Sequence, residues 1–120
     1  MTNSFLRIAG AGLVVAFLGA CEHDAELAKY DPHLSHPTTV EQQTEQCLKN
    51  VQAILEAGGS GLQHVLRCGV FLIDMNEFQN MNKVYMRMFG EHRPARTTIQ
   101  AAGLPGEGLL VEIDAIAYKP

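Results

Sequence analysis

From Val40 onward the chain alternates between two periods. Apolar and semi-polar residues recur at Val40, Thr44, Cys47, Leu48, Val51, Ile54 and Leu55. Steps of three and four put them on one stripe, which predicts a helix buried along one side. Thr38 or Thr39 stands where a capping side chain is wanted, Glu41 falls in the first turn, and Gly58-Gly59 stop the helix. His64 to Ile73 (HVLRCGVFLI) is dense in β-formers and short for a helix, so it reads as a strand. Asp74 or Asn76 then caps a second helix with Phe78, Met81, Val84, Tyr85 and Met88 on its apolar face; Gly90 ends it and Pro94 marks the break. Ala95 to Leu104 predicts another strand, and Pro105-Gly106-Glu107-Gly108 a turn. In the last strand, Leu109 to Tyr118, Val111, Ile113, Ala115 and Ala117 face one way, and Glu112, Asp114 and Ile116 the other.

Upstream, Ile8 to Ala20 is nearly all apolar or small, but its about 13 residues fall short of the roughly 20 that span a bilayer. Two readings compete. Gly12 to Gly19 fits a buried strand, followed by polar loop over residues 21–38. Alternatively, Arg7 ahead of the run and Leu18-Gly19-Ala20-Cys21 at its end fit a lipoprotein signal, with the chain anchored to a membrane through Cys21. Cleavage there would remove the strand and bare a sheet edge, so the strand is the preferred reading. The organisation expected is an atypical segment over residues 1–38 and a domain core over 39–120. The element order predicts an α+β fold: a mixed sheet with two helices packed on one face. The sheet's second face also carries apolar residues, which calls for another subunit as cover. If Pro105 to Glu107 form a hairpin loop, Arg96 pairs with Ile116, and Arg96 and Glu112 share a face; a two-residue loop would set them on opposite faces.

At 120 residues one domain is expected, and 47% apolar with 18% charged residues excludes a disordered tail. Nine Lys and Arg against thirteen Asp and Glu give a net charge of −4, which argues against a nucleic-acid binder. Three cysteines, at 21, 47 and 68, make no disulfide framework, so a reducing compartment, the cytoplasm, is expected. Cys21, His23, Asp24, His33 and His36 match no zinc spacing, and no metal is expected. Cys47 lies on the buried stripe, Cys68 has no local activator, and Gly58-Gly59-Ser60-Gly61 lacks the lysine of a phosphate-cradling loop.

The stretch Pro94 to Ile113 (PARTTIQAAGLPGEGLLVEI) resembles the Rid (YjgF, reactive-intermediate deaminase) family, whose pattern is P-A-R-S/T, a small residue, x-L-P and a hydrophobic-E-hydrophobic strand. Glu45 to Val51 is similar to that family's first helix, Val70 to Phe78 to its strand-to-helix passage, and Asn82, Tyr85 and Phe89 to its second helix. The family's G-P-Y-S-Q-like opening and S-G-Q strand end have no match here. The resemblance implies a chorismate-mutase-like sheet assembled as a homotrimer with inter-subunit sites. It also implies hydrolytic deamination of 2-imino and enamine acids (2-iminopropanoate, 2-iminobutanoate) to 2-keto acids and ammonia, without metal or organic cofactor. The alternative is a catalytically silent, metabolite-binding or chaperone-like trimer. Arg96 is the expected anchor, because a guanidinium fork pairs both oxygens of a carboxylate; the other reading is an ordinary salt bridge. Glu112 interrupts an apolar strand and is expected to orient and activate water, unless it pairs with a neighbouring strand or subunit. Thr98, two residues after Arg96, offers a hydroxyl to the substrate from the same sheet face. Asn82 is expected as a polar rim from a neighbouring subunit, or as an exposed helix amide.

Overall fold

The structure, a computed structural model, describes Leu6–Gly10 and residues 39–120. The elements run β1 (Leu6–Gly10), α1 (Val40–Ala57), β2 (Val65–Leu72), α2 (Phe78–Phe89), β3 (Ala95–Gln100) and β4 (Val111–Ala117). The expected strand over Gly12–Gly19, the choice between strand and lipoprotein signal, and the loop histidines with Cys21 all lie outside the described residues. The described strand comes earlier, at Leu6–Gly10.

Helix α1 begins where the sequence places it. Thr39 Oγ1 accepts from Gln42 N, and Gln42 Oε1 accepts from Thr39 N, each at 3.3 Å. This reciprocal pair satisfies two backbone donors that a helix start leaves orphaned. Val40, Thr44, Cys47, Leu48, Val51 and Leu55 are buried as the stripe requires. Gly59 takes φ 78° just past the end, a conformation that costs glycine little. Asp74 Oδ1 accepts from Asn76 N at 2.9 Å and caps a short 3₁₀ turn, Met75–Glu77, that leads into α2. Gly90, at φ 61°, closes α2.

The four strands lie in the order β1-β4-β2-β3, with β2 and β3 parallel and the other pairs antiparallel. The mixed sheet with two helices is therefore as expected, but the hairpin between the last two strands is not. Strand β3 pairs with β2, Arg96 lying opposite Cys68, and never with β4, so Arg96 does not pair with Ile116. Helix α2 is the crossover between the parallel pair, and residues 101–110 carry the chain back over the end of β2. Ala101 N donates to Leu72 O at 2.8 Å and Ile73 N to Leu110 O at 3.0 Å along that path. The reason is composition. Strand β2 (VLRCGVFL) is apolar enough to belong inside a sheet, whereas β3 (ARTTIQ) is polar and exposed at alternate positions and tolerates an edge.

Register sorts the side chains. Cys68, Val70 and Leu72 of β2 and Val111, Ile113, Ala115 and Ala117 of β4 are buried and form the core with α1 and α2. The other face presents Arg67, Gly69 and Phe71, then Thr97 and Ile99, then Glu112, Asp114 and Ile116. Ile99 remains 46% exposed there.

Candidate active site

Strand β3 holds Arg96 and Thr98 on the helix side of the sheet, and α2 meets them there. Phe78, Asn82 and Tyr85 stand four and three residues apart, so one face of the helix presents all three. Arg96 Nη1 donates to Asn82 Oδ1 at 2.8 Å. The guanidinium carbon sits 4.6 Å from the Tyr85 ring centroid and 5.5 Å from that of Phe78. Both distances are within the range of cation–π attraction. Arginine only donates, so the Asn82 amide must turn its oxygen toward Arg96. No carboxylate among the described residues pairs with this guanidinium. It is a half-buried cation held by neutral groups, with most of its N–H fork uncommitted.

Beneath it the surroundings are dry. Tyr85 is 4% exposed, and its Oη is buried without a well-formed hydrogen bond. The Cys68 thiol is close enough to interact with that oxygen. Burial raises the Tyr85 phenol well above its usual range and raises the Cys68 thiol also; for Cys68 the Tyr85 contact opposes the shift and the nearby Asp114 charge adds to it. Both therefore stay neutral at physiological pH. Thr98 Oγ1 is likewise buried with no partner, on the same face as Arg96. An orphaned hydroxyl beside an uncompensated cation suits a ligand that brings acceptors.

The other expected site residues fall differently. Asn82 accepts from Arg96 within the same chain. Glu112 lies on the opposite face. It pairs with Phe71, three residues beyond Cys68 on β2, and a step of three reverses the side. So the sheet stands between Arg96 and Glu112 within one chain. Next to Glu112, Asp114 Oδ1 accepts from Gly69 N at 2.8 Å.

Sequence reasoning missed three contributors. Phe78 and Tyr85 read only as core residues of a helix; the polar Asn82 set between them on the apolar side was the signal of something more. Gln43 interrupts the stripe of α1 and is buried at 4% exposure. Its Nε2 donates to Gly108 O and its Oε1 accepts from Leu110 N, both at 2.8 Å, so the amide clasps the connection that leads to Glu112. Among the described residues no group of His, Cys, Asp or Glu converges as a metal site, and no helix is long and apolar enough to cross a membrane.

Comparison with known proteins gives the architecture its relatives. The RutC family protein PH0854 of Pyrococcus horikoshii is 49% identical over 80 residues, 67% of this chain and 63% of that protein. The chain thus spans under two thirds of the length of the curated relatives it first matches. Among solved structures, E. coli TdcF with bound serine superposes with a TM-score of 0.67 at 36% identity, covering 72% of this chain and 69% of that one. RidA from the Antarctic bacterium Psychrobacter sp. gives 0.66 at 36% identity, covering 71% and 68%. The profile of the endoribonuclease L-PSP family matches residues 21–119. With that match over most of its length and the shared two-helix mixed sheet, the chain belongs to the endoribonuclease L-PSP family, the group also called YjgF, RutC or Rid.

Proposed function

We propose that the chain hydrolyses short 2-imino acids and their enamine tautomers, such as 2-iminopropanoate and 2-iminobutanoate, to 2-keto acids and ammonia. The observation that carries this reading is Arg96: a guanidinium fixed by two rings and an amide, with no carboxylate partner among the described residues. A 2-imino acid brings the missing carboxylate on a planar frame that the fork can grip with two parallel bonds. Thr98 Oγ1 gains the partner it lacks. Water then adds to C2 of the protonated imine, and the tetrahedral carbinolamine expels ammonia as the carbonyl forms. Glu112 orients that water, takes its proton and returns it to the amine nitrogen, so that ammonia leaves neutral while the hydroxyl proton passes to solvent. The likeness to E. coli TdcF with bound serine supports the size and class of ligand, since serine too sets a carboxylate beside a nitrogen-bearing carbon. The net charge of −4 weighs against RNA as the substrate.

Because the sheet separates Arg96 from Glu112 in one chain, the working site combines Arg96 of one copy with Glu112 of a neighbour in a homotrimer. Phe71, Ile99 and Ile116 on the open face fit burial in that assembly. Ammonia release from freshly generated 2-iminobutanoate tests the reading, with Arg96→Ala and Glu112→Gln each expected near the uncatalysed rate. Co-expressing the two inactive variants should restore part of the activity, because some seams then hold both intact residues. Mixed assemblies that stay inactive overturn the shared site. A wild-type protein that binds 2-oxobutanoate yet leaves the uncatalysed rate unchanged is instead the silent, metabolite-binding relative.

A further inference from the structure

We infer that Tyr85 is a positioning residue for acid binding, acting on Arg96 through the face of its ring and not through its hydroxyl. The inference rests on the reading of Arg96 as the acid receptor and says what makes it one. An arginine on an edge strand has a flexible stem, and holding it still for a ligand costs rotamer entropy when nothing holds it beforehand. A carboxylate neighbour would hold it but would also compete with the ligand for the N–H fork. A ring face does neither. It attracts the cation, restricts its plane and occupies none of its donors.

Tyr85 is built for this. At 4.6 Å its ring is the nearer of the two that flank the guanidinium. It is fixed in turn by Phe89, whose ring centroid lies 4.6 Å away at a 39° tilt, and it is nearly fully buried. Asn82, from the same helix face, takes a single N–H and sets the rotation of the fork within its plane. The Tyr85 hydroxyl makes no hydrogen bond to Arg96: it is buried beside a neutral thiol, without a well-formed hydrogen bond.

The experiment compares wild type, Tyr85→Phe and Tyr85→Met by calorimetric titration with 2-oxobutanoate and by steady-state kinetics on 2-iminobutanoate. Tyr85→Phe keeps the ring and should bind within about twofold of wild type. Tyr85→Met fills the space without a π face and should weaken binding by about 3- to 30-fold, raising KM while kcat changes little. A nitrogen-15 spectrum of the wild-type assembly supplies a measurement independent of folding in the variants: the Arg96 side-chain N–H signals, assigned by their loss in Arg96→Lys, should be shifted upfield by the ring. Unshifted signals overturn the inference, as do undiminished binding in Tyr85→Met or a loss in Tyr85→Phe as large as in Tyr85→Met. If wild type itself does not bind 2-oxobutanoate, the receptor reading falls and the inference with it, whereas unchanged binding in Tyr85→Met removes the inference alone.

Discussion

A side chain at Gly69 fits only if Asp114 gives way. A Cβ built there would lie 2.7 Å from Asp114 Oδ1, the same oxygen that accepts from Gly69 N. Gly69→Ala should lower stability by about 1–3 kcal/mol in urea denaturation, and less in an Asp114→Ala background. Thr98 makes the opposite case. Its buried hydroxyl lacks a partner, so Thr98→Val should raise stability by about 1 kcal/mol while weakening 2-oxobutanoate binding. A variant that is less stable, or that binds as wild type does, contradicts the role given to that oxygen. Single residues were readable in the sequence where their chemistry is out of place: an arginine in a signature, a glutamate in an apolar strand. Tyr85 and Phe78 were not, because an aromatic residue at helical spacing looks the same whether it fills a core or flanks a cation.

At the scale of elements, Gln43 ties α1 by two hydrogen bonds to the connection ahead of β4. Gln43→Leu would leave Gly108 O and Leu110 N without their partners. The expected loss is about 2–4 kcal/mol, seen as a lower urea midpoint, and amide exchange at Leu110 should rise more than at the centre of β2. Both helices and the alternation of β4 could be read from periodicity, since each buries one side. The pairing of β3 could not. Pro105 to Gly108 is a turn in the structure as in the sequence, but turn residues specify a local bend and not the strand that follows beside it. What decides the pairing is that β2 needs neighbours on both edges and β3 does not, a comparison between strands that no single segment contains. The face of Glu112 relative to Arg96 hangs on that same comparison.

At the scale of the whole molecule, three acids among the described residues are held neutral by burial. Cys47 is pushed from its ordinary 9.0 to about 12, and Cys68 and Tyr85 are raised as well. Unfolding lets them ionise at ordinary values, 9.0 for the thiols and 10.0 for the phenol. A raised folded value means that the stability is full below about pH 9 and is lost as pH climbs from there through the folded values. The urea midpoint should therefore hold steady from pH 7 to 9 and fall steeply above, and Cys47→Ala should flatten part of that fall. The Cys47 and Cys68 thiols should also resist alkylation at pH 8.

Strand β3 is outermost among the described strands, and it is also the strand that carries Arg96. Its outward ladder of peptide groups is a template for any passing chain unless a sister copy shields it. In the proposed homotrimer, dilution to the point where copies part would thus cost the protein twice over, since the separated chain would be both inert and sticky. Light scattering followed beside ammonia release over a dilution series should find turnover failing and clumping starting at one shared concentration.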